Sequence, residues 1–108
     1  MKTVNGILID AKNKTIKMVE FSNLEDIYKL LGVTIVEVIR VCNYDTMYID
    51  EEGAINGTKF GFNFGSTPIF GNALICHTDE DGEDMDPIST LEEIRGWVNW
   101  GQVPIPHR

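Results

Sequence analysis

The sequence predicts a small α+β domain that has a mostly antiparallel sheet of about five strands and two helices. The hydrophobic fraction of 43% in a chain of 108 residues is enough for one core but not for two. Short β-rich runs follow one another without a helix between each pair, which favours antiparallel pairing over a doubly wound sheet. The predicted order is β-β-α-β-β-loop-β-α. The chain is expected to form a single domain with a β-hairpin (1–22), an α+β body (23–100) and an extended tail (101–108).

The N-terminal segment has the pattern of a hairpin, since a polar turn separates the β-rich runs 7–9 and 16–21. The segment SNLEDIYKLLG then predicts a helix. Ser22 and Glu25 have the spacing of a capping box, in which each side chain accepts a hydrogen bond from the backbone N–H of the other residue. Gly32 can adopt the left-handed conformation that ends a helix.

Two strands are predicted after this helix. The run TIVEVIRVC is apolar on both faces apart from Glu37 and Arg40, a pattern that is typical of an interior strand. The run TMYID predicts the next strand, and Gly53 predicts the turn that follows it. The stretch GTKFGFNFGSTPIFGN repeats glycine and phenylalanine and predicts an irregular loop, which leads into a strand at NALICH.

A second helix is predicted after Pro87. Ser89 and Glu92 repeat the capping-box spacing. The apolar face of this helix contains Leu91, Ile94, Trp97 and Val98. Trp97 is therefore expected to contact the core. Trp100 lies beyond the apolar stripe and is a candidate for an interface, where tryptophan is common. The end VPIPHR alternates proline with apolar residues and predicts an extended tail.

Composition excludes several classes of protein. The net charge of -8 argues against general nucleic-acid binding, which needs clustered Lys and Arg. No apolar run approaches the roughly 20 residues that span a bilayer, and the N-terminus lacks the apolar core of a signal peptide, so we expect a cytoplasmic protein without membrane contact. We expect Cys42 and Cys76 to be reduced residues of the core. No cofactor is expected.

The stretch HTDEDGEDMD is the most acidic part of the chain. If Gly82 takes the sixth position of a calcium-binding EF-hand loop, His77 is first and Ile88 twelfth, so both ends lack their carboxylate. A looser cation site stays open, but nothing in the spacing fixes it, and no metal site is predicted. The stretch predicts a solvated turn whose neutralisation barely changes the melting temperature. Its negative charge is a candidate partner-binding surface that would contain Asp79, Glu80, Asp81, Glu83 and Asp84, with Trp100 as a further contact.

The glycine- and phenylalanine-rich loop 57–72 contains the parts of a nucleotide site: backbone amides and a cation for phosphate, hydroxyls, and a ring for stacking. The candidate ligand contacts are Lys59, Phe62, Asn63, Ser66 and Thr67. The spacing fits no phosphate-binding motif, and the phenylalanines would serve equally well in a core. No catalytic residue is predicted, because Cys76 and His77 are successive strand residues whose side chains point to opposite faces.

The motifs IYKLLG, VEVIRV, MYIDEEG, the asparagine of FGFNF, IFGNALI and DGED, in this order, resemble the family known as domain of unknown function 3846. The resemblance covers about residues 27–84. It implies an accessory protein of bacteriophages, plasmids or integrative elements, and it implies no established reaction, cofactor or catalytic residue.

These observations together predict a non-catalytic acidic binding protein of a phage or mobile element. It would modulate a host system, such as a defence system, by binding a host protein in the bacterial cytoplasm. One alternative is a nucleotide-signal-binding protein that sequesters its ligand with loop 57–72. A small enzyme of unknown reaction is another. The tail and Trp100 leave a homodimer open.

Overall fold

The structure is a computed structural model that describes residues 3–53 and 60–101. The described strands are β1 (Val4–Asp10), β2 (Thr15–Phe21), β3 (Val36–Arg40), β4 (Thr46–Asp50), β5 (Gly61–Phe64), β6 (Thr67–Phe70), β7 (Ala73–Thr78), β8 (Asp84–Met85) and β9 (Val98–Asn99). The described α-helices are α1 (Leu24–Leu31) and α2 (Leu91–Trp97). The predicted α+β class, with two helices and a mostly antiparallel sheet, is confirmed.

The main sheet has the strand order β2-β1-β7-β4-β3, and the short β8 pairs with the end of β7. Every pair of neighbours among these strands is antiparallel. Ile75 of the central strand lies opposite Ile7 of β1 on one side and Met47 of β4 on the other. The five strands of this path are the five that the sequence predicts.

The sequence predicts an irregular loop before β7. This prediction is wrong between Gly61 and Phe70, where β5 and β6 form a hairpin. Burial alternates along β5, because Phe62 and Phe64 are buried while Gly61 and Asn63 are half-buried. Gly65 turns the chain with a φ of 61°, a left-handed conformation that glycine adopts without steric cost. The hairpin joins β9 in a second sheet with the order β6-β5-β9.

The molecule has three layers, and the main sheet is the middle one. One face of the sheet packs against α1, in a core that contains Leu8, Phe21, Tyr48, Leu74 and Cys76 together with Ile27 and Leu31 of the helix. The other face packs against the small sheet and α2, in a core that contains Ile7, Ile9, Met47 and Ile75 together with Phe62, Phe64, Ile69 and Ile94. Successive strand residues therefore enter different cores, as the pleat requires.

Two further predictions are wrong: the interior position of the third strand and the place where α2 ends. The third strand is an edge strand rather than an interior one, and the Val38 side chain is 55% exposed. Helix α2 ends at Trp97, so Val98 belongs to β9 and pairs with Phe64 instead of extending the helical face. The predicted tail lies outside the described residues from 102 onward.

In both helices the N-cap residue lies one position later than predicted. Asn23 accepts a hydrogen bond from the Asp26 amide, whereas the Ser22 amide donates to the Asp26 carboxylate. In α2 the capping box consists of Thr90 and Glu93, which replaces the predicted pair Ser89 and Glu92. Gly32 ends α1 in the predicted left-handed conformation, with a φ of 69°.

Both cysteines are free; Cys76 is buried, and Cys42 is half-buried in the turn after β3. The described helices contain 8 and 7 residues, and neither is long and apolar enough to cross a membrane.

Candidate functional site

The turns that follow β3 and β7 lie at the same end of the main sheet. Arg40 is in register with Thr46, and Thr46 is in register with Cys76, so the end of β3, the start of β4 and the end of β7 lie together. A cleft of about 590 Å³ opens at this end and is called here the Tyr44 cleft. Its lining residues are Arg40, Tyr44, His77, Thr78, Asp79 and Glu80.

The turn between β3 and β4 presents Tyr44 to solvent on an unusual backbone. Asn43 and Tyr44 have φ angles of 58° and 59°, so two consecutive residues with a Cβ are left-handed. Such a conformation costs of order 1 kcal/mol or more per residue and persists only where surrounding contacts impose it. The Tyr44 side chain is nevertheless 76% exposed. The chain thus holds an aromatic ring outside its own core.

A buried carboxylate anchors this turn. Asp45 is fully buried and accepts hydrogen bonds from the backbone amides of Ile88 (3.0 Å) and Ser89 (2.8 Å). Its Oδ1 also lies 3.0 Å from Nδ1 of His77, on the neighbouring part of the sheet. These contacts tie the turn to β7 and to the segment before α2, and they satisfy a carboxylate that would otherwise be costly to bury.

Further hydrogen bonds fix the rest of the turn. The Asn43 side-chain amide donates to the Ser89 hydroxyl (3.0 Å) and to the Glu93 carboxylate (3.3 Å). The Arg40 guanidinium donates to the Tyr44 carbonyl oxygen at 2.7 Å. The left-handed backbone is therefore held from both sides, and the backbone position of Tyr44 is set before any partner arrives.

The acidic segment between β7 and β8 is a folded turn. The Asp79 carboxylate accepts hydrogen bonds from the amides of Asp81 and Glu83, each at 2.9 Å. The Asp79 amide donates to the Glu83 carbonyl oxygen, and Gly82 has a left-handed φ of 81°. Asp79 is half-buried, whereas the Glu80, Asp81 and Glu83 side chains are exposed. The turn presents these carboxylates from a defined backbone beside the Tyr44 cleft.

Asp84 differs from the other residues of the acidic stretch. Its Oδ1 accepts hydrogen bonds from the Tyr48 hydroxyl (2.8 Å) and the Thr78 hydroxyl (3.0 Å), and the Cys76 thiol lies 3.7 Å away. Burial, reinforced by this carboxylate, raises the pKa of Cys76 to about 12 and the pKa of Tyr48 above its usual range. Both groups therefore keep their protons to a higher pH than the free side chains do.

The described members of the predicted ligand-contact set lie in different surroundings. Phe62 is fully buried, and its ring centroid lies 5.9 Å from that of Trp100 in an edge-on arrangement. Asn63 lies on β5 between Pro68 and Asn99. Ser66 and Thr67 are exposed at the tip of the hairpin, beside a cleft of about 270 Å³ that Arg40 and Trp97 also line. Lys59 lies outside the described residues.

The two tryptophans lie in different surroundings. Trp97, for which a core contact is expected, stacks on the core residue Phe64 with a centroid distance of 5.4 Å. It is nevertheless 46% exposed. Trp100 is half-buried against the core cluster that contains Phe62, and it lines a different cleft from the one beside the acidic turn.

Sequence reasoning missed the pairing of His77 with Asp45 and the exposure of Tyr44. The paired residues are 32 positions apart and meet only because β4 and β7 are neighbours, so no local spacing indicates them. In residues 3–53 and 60–101, no group of three or more His, Cys, Asp or Glu side chains is arranged to hold a metal ion.

Residues 1–98 match the model of a family described as a domain of unknown function (DUF3846). No curated protein and no solved structure matches the chain. The matched range contains the whole Tyr44 cleft and extends beyond the motifs of 27–84 to both the first hairpin and α2.

Proposed function

Since the chain belongs to the DUF3846 family, whose description assigns no activity, we propose a function from the Tyr44 cleft: this protein binds a basic segment of a partner protein without catalysis. The single observation that carries the proposal is the exposed ring of Tyr44 on a strained, fixed backbone next to a folded acidic turn. Backbone strain of this kind is concentrated at functional sites.

The chemistry of the cleft fits an arginine or lysine side chain of the partner. Tyrosine offers an aromatic face for a cation, and Asp79 and Glu80 border the same cleft as carboxylate acceptors. Arg40 also lines the cleft, but its guanidinium donates to the Tyr44 carbonyl oxygen. Because the backbone of both turns is already fixed, little backbone conformational entropy is lost on binding. Tyrosine is also among the residues that most often dominate the energy of an interface.

The charge of the molecule supports the same kind of partner. A net charge of -8 steers a basic surface toward the protein and repels nucleic acids. In a phage or mobile element, the setting that the family resemblance implies, the partner would be a host protein in the bacterial cytoplasm. Binding would modulate a host system, such as a defence system, by occupying its basic surface.

Comparative capture from bacterial lysate at low salt tests this proposal. We expect Tyr44→Ala, and separately the double variant Glu80→Gln with Asp81→Asn, to reduce the captured partner by about tenfold or more. Glu51→Gln with Glu52→Gln is the matched control, because it removes the same charge from another exposed turn. That control should capture as much partner as the unmodified protein.

The binding should also weaken as salt rises, since its charged contacts are largely exposed. Equal capture by the unmodified protein and by both cleft variants would contradict the proposal. So would an equal loss in the Glu51 and Glu52 control, because the effect would then belong to net charge and not to the Tyr44 cleft.

A further inference from the structure

A third cleft carries the opposite charge. It has a volume of about 440 Å³ and lies between the turn of the β1–β2 hairpin and α2. The residues that line it are Lys14, Thr15, Ile16, Arg95 and Trp100, and it is called here the basic cleft. Two of these residues are cations and none is acidic, although the chain has 17 acidic and only 9 basic residues.

In the part of the chain that the structure describes, no carboxylate is paired with either cation. Within residues 3–53 and 60–101, the side chains of Lys14 and Arg95 form neither an ion pair nor a hydrogen bond. Lys14 ends a turn that the Asp10 carboxylate fixes through the amide and side chain of Asn13, at 3.1 and 2.9 Å. Among the described residues, neither positive charge is therefore offset by an ion pair.

Trp100 gives this cleft an aromatic wall of fixed orientation. Its ring packs edge-on against the fully buried Phe62, at a centroid distance of 5.9 Å and an angle of 66°. The indole is half-buried, and its accessible part lines the basic cleft. A ring that is held in this way is a stacking surface for a nucleobase, and every base has a face that can use it.

We propose that the basic cleft binds a nucleoside phosphate. The phosphate contacts Lys14 and Arg95, the Thr15 hydroxyl donates to a phosphate oxygen, and the base stacks on Trp100. The cleft volume lies within the range that is usual for small-ligand sites. This is the ligand class that the sequence predicts for loop 57–72, but the residues are different, and the inference does not depend on the Tyr44 cleft.

The inference is tested by tryptophan fluorescence of the full chain titrated with adenosine monophosphate. A Trp97→Phe background keeps an aromatic ring against Phe64 and leaves Trp100 as the reporter. We expect saturable quenching, with an affinity for adenosine monophosphate at least about tenfold higher than for adenosine or for inorganic phosphate, because only the nucleotide uses both the ring and the cations.

Charge variants in the same background locate the site. Lys14→Gln and Arg95→Gln should each weaken binding by about tenfold. Lys29→Gln removes the same charge from an exposed position on α1 and should leave the affinity unchanged. Thermal unfolding of each variant shows that it is folded.

Three results would overturn the inference. The first is the absence of saturable quenching at millimolar adenosine monophosphate, and the second is an affinity for inorganic phosphate that equals the affinity for the nucleotide. The third is an equal loss in Lys29→Gln and Lys14→Gln, which would reduce the binding to general attraction by positive charge. None of these results affects the Tyr44 cleft, so the two proposals fail separately.

Discussion

Three carboxylates accept hydrogen bonds that hold different segments of the chain together. Asp45 connects the turn after β3 to the segment before α2, Asp79 folds the acidic turn, and Asp84 accepts from two strands. Glu80 and Asp81, by contrast, have exposed side chains. Acidic residues that look alike in the sequence thus have separate roles, because their donors come from distant positions.

Removal of a single acidic side chain should reveal this difference. Asp84→Ala leaves the Tyr48 and Thr78 hydroxyls without their acceptor, so we expect the free energy of unfolding to fall by about 2–3 kcal/mol. The exposed Asp81→Ala should stay within about 0.5 kcal/mol of the unmodified protein. Urea denaturation measures both values. Equal values would restore the expectation that the whole acidic stretch is a solvated turn.

The buried thiol predicts how stability depends on pH. Since burial raises the pKa of Cys76 from 9.0 to about 12, the folded chain keeps a proton that the unfolded chain releases in this interval. The free energy of unfolding should therefore be highest below pH 9 and fall as the pH rises toward 12, by at most about 1.4 kcal/mol per pH unit for this group. The raised pKa of Tyr48 acts with the same sign above pH 10.

Denaturation at several alkaline pH values checks this dependence. Cys76→Ala should have a smaller slope than the unmodified protein, because its side chain has no proton to lose. A slope that is the same in both proteins would show that Cys76 ionises equally well in the folded and unfolded states.

The strands of the main sheet could be predicted because their apolar runs are short and separated by clear turns. The hairpin of β5 and β6 was missed because its glycines indicate a loop, although Phe62 and Phe64 already alternate with less buried residues. Helix starts were missed by one residue for another reason. In Ser22-Asn23 and Ser89-Thr90 both neighbours can cap a helix, and only the tertiary structure selects the second.

The first helix offers a direct test of its cap. Asn23→Ala removes the side chain that accepts from the Asp26 amide, and we expect a loss of about 1 kcal/mol in the free energy of unfolding. Ser22→Ala keeps the backbone amide that donates to Asp26, so its effect should be within about 0.5 kcal/mol. Chemical denaturation of the two variants decides between the residues, and the reverse order of effects would favour the predicted cap.

Two glycines should respond to alanine in opposite directions. At Gly65 the φ is 61° and an added Cβ would lie 3.0 Å from the Trp97 ring, so Gly65→Ala should destabilise the protein by about 1 kcal/mol or more. At Gly96, within α2, an added Cβ meets nothing within 4 Å, so Gly96→Ala should stabilise the protein by up to about 1 kcal/mol. Melting temperatures that shift in the same direction would contradict this account of the hairpin.

The central strand β7 joins the two cores of the molecule. Leu74 enters the core below α1, and the next residue, Ile75, enters the core below the small sheet. The sequence indicates that this run is a strand, but its central position depends on pairing with β1 and β4, which lie far away along the chain. The same limitation explains why β3, with its apolar pattern, was not recognised as an edge.

Substitutions in the two cores should affect a single unfolding transition. Leu74→Ala and Ile75→Ala each remove a fully buried side chain, so we expect losses of about 2–5 kcal/mol for either. Tryptophan fluorescence reports on the side that contains α2, and circular dichroism reports on the whole chain. The two signals should change together in both variants. Separate transitions would mean that the layers unfold independently.

The position of β2 and β3 at the two ends of the main-sheet path has a consequence for aggregation. Among the described residues, β2 and β3 each have an edge without a partner strand, and such edges are templates on which other chains can polymerise. Val38 makes the β3 edge partly apolar. Exposed charges interrupt both edges, with Lys17 and Glu20 on β2 and with Glu37 and Arg40 on β3. These side chains make continuous stacking of strands electrostatically unfavourable. Replacement of Lys17 and Glu37 by valine should shorten the lag time of fibril formation, because both side chains are exposed at the edges and outside the core.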